Sequence, residues 1–244
     1  LLKALRGKGA DVGGVRRVRS YTTPVKTRVL AGAQHSSSQQ VVRLDRGHTA
    51  VAGIRAPWNR LAAAVRSADA VIVSDYGYGA VDPPLAARLA AAARERGIPV
   101  VVDSRFRMAE FYDAASITPN ITELEAAAGV RIGNDAALLE QVGRNVLHAQ
   151  RLRSLLVTQG RFGMTLFESG RAGLHIPVYG TDEVADVTGA GDTVIAVFTL
   201  ALACGAPAAL AARLANYGGG IVVMKRGTAT VTREELRAAV RSAP

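Results

Sequence analysis

Cysteine is nearly absent. Cys204 is the single one among 244 residues, so the chain cannot close an internal disulfide and reads as the product of a reducing compartment, the cytoplasm. Cys204 sits in an apolar stretch with no His or second Cys beside it, which predicts a buried packing residue and not a nucleophile. The four histidines, His35, His48, His148 and His175, are scattered without metal-ligand spacing. The first residue is not Met, and the opening LLKALRGKGADVGG lacks the apolar core of a signal sequence; the chain reads as a segment of something longer. Long hydrophobic runs are scarce too. The one candidate, residues 193–212, is interrupted by Gly205, Ala206 and Pro207 and bounded by Asp192 and Arg213. It reads as two buried helices joined by a turn, with no membrane as partner.

Acidic residues are missing from the front of the chain. Residues 1–60 hold 12 Lys or Arg against only Asp11 and Asp45, whereas residues 61–244 hold 18 basic and 18 acidic residues, so the first quarter carries the whole net charge of +10. A front-loaded field suits an anionic partner, either a phosphorylated small molecule or a polyanion. No recognised nucleic-acid motif accompanies the charge, which argues against nucleic acid. With 49% hydrophobic and 20% charged residues, the composition excludes a disordered or fibrous chain and fits one globular domain.

Residues 25–31 (VKTRVLA) and 40–45 (QVVRLD) mix β-branched residues with charges and read as half-exposed strands around a turn at GAQHSSSQ. From residue 56 apolar strands alternate with amphipathic helices. APWNRLAAAVRSA precedes AVIVSD, PPLAARLAAAARERG precedes IPVVVDS, ITPN leads into ITELEAAAG, and AALLEQVGRNVLHAQRL precedes SLLVTQG. This alternation predicts an α/β fold, a mainly parallel sheet with helices on both faces. Such sheets bind ligands at the carboxyl ends of their strands, which singles out Asp75, Asp103, Asn120 and Thr158. Asp75 reads equally well as a ligand contact and as a turn or N-cap residue. Trp58 opens a helix and reads as a packing anchor, and Glu125 as a solvent-facing helix residue.

The strongest chemical signal is ADVTGAGDTVIAVF, residues 185–198. Gly189, Ala190 and Gly191 are small enough for the backbone to approach an anion, and a helix follows at once. Free N–H groups at a helix start, with its dipole, make a phosphate or oxyanion site. Asp192 falls in that first turn, where its carboxylate is kept ionised and can take a proton from a hydroxyl. The plain alternative is an Asp-capped helix after a glycine turn.

Residues 186–193 (DVTGAGDT) resemble the C-terminal signature of the PfkB/ribokinase family of carbohydrate kinases. The resemblance implies a ribokinase-like fold with a small β-strand lid. It also implies ATP and Mg²⁺ as cofactors, Asp192 as catalytic base and the 189–191 backbone (Gly189, Ala190, Gly191) as anion hole. The family's N-x-x-E motif is matched by Asn120, Ile121, Thr122 and Glu123, implied to act on Mg²⁺ and the phosphates through water. Val157, Thr158, Gln159 and Gly160, with Gly163 beyond, match the nucleotide-binding strand and turn, and Asn216 the helix lining the adenine pocket. A monovalent cation such as K⁺ and a homodimer are further expectations of the family.

Within the family, PVKTRVLAG, QQVVRLDR, VIVSDYGYGAV, LLVTQGRFGMTLF and ANYGGGIVVMKRGT resemble the D-glycero-β-D-manno-heptose-7-phosphate kinases, the kinase domain of bifunctional heptose kinase/adenylyltransferases. That branch implies phosphorylation of the heptose 7-phosphate at its anomeric hydroxyl. Strands within about residues 18–46 would form the lid, and Lys26, Arg28 and Arg43 would meet the phosphate the sugar already carries; the alternative for each is a solvated charge on an exposed strand. Nothing before residue 15 resembles the family's opening strand, so residues 1–244 are expected to be one kinase domain entered partway through. Tyr78 stands where the branch has Lys, and Ser104-Arg105 where Pro-Lys is common, which makes Arg105 a phosphate candidate. HSSS lengthens the lid turn, and no H-x-G-H nucleotidyltransferase motif is present. Two alternatives stay open: another PfkB-type sugar or nucleoside kinase, and a kinase-like domain that binds nucleotide or sugar phosphate without turnover.

Overall fold

The computed structural model describes residues 1–18, 21–31, 39–47, 57–180 and 186–242. The elements, in chain order, are α1 (Leu2–Gly7), β1 (Val25–Ala31), β2 (Gln39–Arg46), α2 (Trp58–Ser67), β3 (Val71–Asp75), α3 (Pro83–Glu95), β4 (Val100–Ser104), β5 (Ser116–Ile117) and α4 (Ile121–Ala128). They continue with α5 (Ala136–Ala149), β6 (Ser154–Thr158), β7 (Met164–Glu168), β8 (Leu174–Ile176), α6 (Ala190–Ala203), α7 (Ala208–Val223) and α8 (Arg233–Ser242). His35, His48 and the HSSS turn fall outside the described residues.

A six-stranded sheet runs in the order β3-β4-β5-β6-β7-β8. Its first four strands are parallel, and β7 and β8 close it as an antiparallel meander. Parallel neighbours need a crossover, and the helices that supply it cover the sheet. Strand side chains alternate between the faces, so one pleat fills two cores. Val100, Val102, Leu155, Val157 and Phe167 pack under α2 to α5, while Val101, Leu156 and Leu166 pack under α6 to α8. The mainly parallel sheet with helices on both faces is as the sequence pattern implies; the β7–β8 meander is an addition to it.

Local signals start the helices where they are needed. Asp82 caps α3 by accepting the Leu85 amide at 2.8 Å, ahead of Pro83 and Pro84. Asn120 and Glu123 form a reciprocal capping box on α4. Trp58 packs against the core with the Arg88 guanidinium 3.8 Å over its ring, as a packing anchor should. Two expectations are corrected. Cys204 is exposed, because it follows the last residue of α6 just where Gly205 (φ 80°) turns the chain away. Glu125 is not a free surface charge, since its Oε1 accepts the amides of Ile132 at 2.7 Å and Gly133 at 2.9 Å.

The apolar run at 193–212 is two helices, α6 and α7, joined at Gly205 to Pro207, and no helix among the described residues is long and apolar enough to cross a membrane. These two helices meet through glycine. A Cβ on Gly218 or Gly219 would press on Val197 or Val194 at 2.9 Å, and one on Gly220 would run into the Tyr179 carbonyl. Separately, β1 and β2 form an antiparallel pair with Lys26 opposite Asp45 and Arg28 opposite Arg43. Those four residues share one face of the ribbon, and Val25, Val29, Val42 and Leu44 share the other.

Gly220→Ala should therefore cost about 1–3 kcal/mol through overpacking, or several degrees in thermal unfolding midpoint. A melting curve that overlays the wild type would show that α7 is free to draw back from Tyr179.

Candidate active site

The carboxyl ends of the parallel strands line up in space. Ser74 and Asp75 on β3 sit in register with Asp103 and Ser104 on β4, and Asn120, after β5, bridges Thr158 at the end of β6. This is the edge where open α/β sheets bind ligands. The start of α6 joins it through one bond, the Tyr76 hydroxyl donating to Asp192 Oδ1 at 3.0 Å. Gly189 precedes α6 with φ 82°, a left-handed conformation glycine adopts without a steric cost. An added Cβ at Gly189 or Gly191 would meet nothing within 4 Å. The Cβ directions of Gly189 and Gly191 thus face open space at the start of α6, while the Ala190 amide donates to the Val187 carbonyl at 3.3 Å. Thr193 ties the turn down by donating its hydroxyl to the Gly189 carbonyl at 2.9 Å, and Asp186 Oδ1 accepts the Thr188 amide at 2.8 Å.

Carboxylates crowd this corner. Burial, and after it the charges of Glu123, Asp192 and Asp75, pushes Asp103 up to about 6. Burial also raises Glu123, against the pull of the Asn120 hydrogen bonds and Arg105. Tyr76 is raised well above the ordinary phenol, by burial first and then by the Asp192 carboxylate, so its hydroxyl stays a donor. The cations respond in the opposite sense: Lys26 is lowered by burial and by neighbouring Arg105. Perturbed groups concentrated in one place are a usual mark of a site.

Asp103 and Glu123 supply hard, desolvated oxygen donors that repel one another, a donor set that suits a divalent cation such as Mg²⁺. Among the described residues no group of three or more His, Cys, Asp or Glu side chains is placed to hold a metal ion.

The residues singled out from sequence fall into three groups. Lys26, Arg105, Glu123 and Asp192 share the corner with Asp103 and Tyr76, and Arg28 lies close enough to Asp186 to lower its pKa. Thr158, Gly160, Gly163 and Asn216 lie along the β6–β7 turn and α7. Gly163 (φ 83°) leaves no space for a Cβ against the backbone of 176–178, and the Asn216 amide donates to the Pro177 carbonyl at 2.8 Å. Both hold the segment that follows β8. Arg43 shares the ribbon face of Lys26 and Arg28 and its charge also lowers Lys26, but its Nε already donates to Asp45 Oδ1 at 2.9 Å on an exposed strand.

Asp75 is 3% exposed. Its Oδ1 accepts the Gly77 amide and Arg107 Nη2, and its Oδ2 accepts the Ser104 hydroxyl and Arg107 Nε, at 2.9–3.2 Å. Of the two readings its sequence position allows, this geometry is that of the turn residue. Arg107 and Tyr76 escaped the sequence reading. Tyr76 was accessible to the strand-end rule that picked out its neighbour Asp75; nothing in the local pattern marks Arg107.

A model of the pfkB family of carbohydrate kinases matches residues 1–235. The chain belongs to that family. Its members are phosphotransferases that use an alcohol group as acceptor. A curated relative, the bifunctional protein HldE of Geobacter sulfurreducens, is 44% identical over 240 residues, which are 97% of this chain and 48% of that protein. The chain thus spans about half the length of the curated relatives it matches. The ribokinase of Arabidopsis thaliana, solved with ribose and ATP, superposes with a TM-score of 0.78 at 22% identity, covering 96% of this chain and 74% of that one. The ribokinase of Giardia lamblia gives 0.75 at 18% identity, with 98% and 77% covered. These two establish the ribokinase-like fold.

The crowding makes a measurable demand on this pfkB chain. Asp103 titrates near 6 when folded and near the ordinary 3.9 when unfolded, so its charge destabilises the fold, fully above pH 6 and not at all below about pH 4. In metal-free buffer, Asp103→Asn should raise stability by on the order of 1–3 kcal/mol at pH 8, a gain that fades as the pH falls to 4. Urea titrations at both pH values check this, and a pH-independent difference would remove the repulsion as its cause.

Proposed function

We propose that this chain transfers the γ-phosphoryl group of ATP to a phosphorylated sugar, D-glycero-β-D-manno-heptose 7-phosphate at its anomeric hydroxyl. The observation that carries the reading is the Asp192 carboxylate in the first turn of α6, just after the left-handed Gly189 turn and joined to the carboxyl edge of the sheet through Tyr76. The sugar hydroxyl loses its proton to Asp192 as its oxygen bonds to the γ-phosphorus, while the bond from that phosphorus to the β–γ bridging oxygen breaks and ADP leaves. The Gly189, Ala190 and Gly191 amides hold the transferring oxygens. Positioning and electrostatics supply most of what such a transfer needs. Asn120 and Glu123 would hold the metal, which supplies positive charge against the phosphate oxygens when bound. ATP would run along Thr158, Gly160 and Gly163 to Asn216.

Lys26 and Arg105 are the best-placed groups for the phosphate already on the sugar. Burial and the Arg105 charge lower Lys26 in this corner, a repulsion that an anion between the two would relieve, and Arg28 lies on the same face of the ribbon as Lys26. Arg43 is the weaker candidate, since Asp45 already engages it. Tyr78, where the branch has Lys, lines an apolar groove with Leu61, Val65, Leu85 and Leu89. Its substitution therefore leaves the charge of the corner unaltered. The other face of the ribbon, with Val25, Val29, Val42 and Leu44 exposed, fits a second copy in a homodimer. ATP as donor fits the cytoplasm.

The test of the substrate is coupled ADP release from the intact protein across heptose, hexose and pentose phosphates and nucleosides. The heptose 7-phosphate should give the highest kcat/KM, and a nucleoside or unphosphorylated sugar ahead of it would overturn the assignment. Asp192→Asn should keep fold and ATP affinity while lowering kcat about 100-fold or more; turnover near wild type would remove Asp192 from the chemistry. Arg105→Ala should weaken sugar-phosphate binding about ten- to a hundredfold, on the order of 1.5–3 kcal/mol, and leave ATP binding unchanged. Arg43→Ala should change it by only a few tenths of a kcal/mol. Titration calorimetry of both ligands separates these outcomes, and equal losses from the two variants would move the phosphate out onto the ribbon.

A further inference from the structure

We propose that Tyr76 is the positioning residue for the Asp192 carboxylate, and that Lys26 links it to β1, so that one side chain sets both the base and the strand lying over it. The inference rests on the reading of Asp192 as base. Tyr76 follows the last residue of β3, and its backbone is held from below. The Gly77 amide donates to Asp75 Oδ1 at 3.0 Å, Asp75 is locked by Arg107 and Ser104, and a Cβ at Gly77 would strike the Phe106 ring at 2.9 Å. The ring itself is not a core residue, being 37% exposed. Two contacts hold it. Its hydroxyl donates to Asp192 Oδ1 at 3.0 Å, and the Lys26 ammonium lies 5.1 Å from its centroid, within cation–π range.

This geometry has a chemical consequence. A carboxylate at a helix start can rotate, and either oxygen can face the acceptor hydroxyl. With Oδ1 engaged by Tyr76, Oδ2 is the oxygen left to take the proton. Loss of that donor would leave the carboxylate one hydrogen bond poorer beside the charge of Asp103. Burial and the Asp192 charge keep the phenol protonated, so the donor persists through the working pH range. Lys26 connects this to the ribbon: if β1 moves, the ring loses one of its two holds, and Asp192 its partner. A phenylalanine would preserve the ring, its packing and the cation–π contact, so only the hydroxyl separates a positioning role from a packing one.

The decisive variant is Tyr76→Phe in the intact protein, assayed with ATP, Mg²⁺ and D-glycero-β-D-manno-heptose 7-phosphate, with an unchanged melting temperature as the check on folding. We expect kcat to fall about tenfold, KM for both substrates to stay within about twofold, and the acid limb of the kcat–pH profile to move to higher pH. Carboxyl-¹³C NMR titration of Asp192 in the substrate-free protein should move the same way, a readout that needs no turnover. Asp103 on β4, Arg105 just after it, Glu123 on α4, and Lys26 and Arg28 on β1 also face this corner; all are unchanged in the variant, so the shift reports the hydroxyl alone. Lys26→Met, which also removes a phosphate contact, should lower kcat by a larger factor in the wild-type background than in the Tyr76→Phe background, and equal factors in the two would break the link to β1. A Tyr76→Phe variant with unchanged kcat, pH limb and NMR titration overturns the positioning role while Asp192→Asn still abolishes turnover. Wild-type turnover in Asp192→Asn instead overturns the base assignment itself.

Discussion

The carboxyl edge of the sheet is organised around a buried ion pair. Asp75 closes β3 in a place where an isolated charge would cost several kcal/mol, and Arg107 together with Ser104 and the Gly77 amide supplies every hydrogen bond that its oxygens can use well. Because Ser104 ends β4, the pair ties the two strand ends together, and because Gly77 follows Tyr76, it fixes the turn from which Tyr76 reaches Asp192. Arg107 also donates to the Val81 carbonyl at 2.8 Å, drawing in the approach to α3. The reach of the site from β3 across to α6 therefore begins at a residue that has no oxygen left for a ligand.

Much of this was legible beforehand, and the reasons are local. The β-branched runs VIVSD and VVVDS, separated by a capped Ala-rich helix, admit little besides parallel strands with a crossover. The Asn120-to-Glu123 spacing marks a helix start by its own capping chemistry, whatever else those groups hold. The glycine turn before Asp192 carries its meaning in four residues. What escaped depends on distance along the chain. Arg107 meets Asp75 across 32 residues, and Tyr76 meets Asp192 across 116, separations at which no periodicity operates. The β7–β8 meander was missed for a different reason, since MTLFE and LHI are runs of five and three residues, too short for a period to show their direction. Cys204 was misjudged because hydropathy is an average over a stretch, whereas exposure is decided by where the helix stops.

The two kinds of buried carboxylate at this edge separate structure from chemistry. Asp75 is buried and fully partnered inside the chain, so its charge is part of the scaffold. Asp103 and Glu123 are withdrawn from water without an equivalent set of donors, and they share their corner with Asp192 and with two cations, Lys26 and Arg105, that repel each other in turn. A fold gains nothing from such an arrangement; it costs stability on both signs of charge. The arrangement makes sense for ligands that carry both signs, a divalent cation beside the carboxylates and phosphate groups beside the cations and the α6 amides. For such ligands, binding relieves repulsion already built into the protein. Burial alone would have ranked Asp75 first among the four carboxylates. Counting the hydrogen bonds each one already has reverses that order, and among the described residues leaves Asp103, Glu123 and Asp192 with fewer partners inside the chain than Asp75.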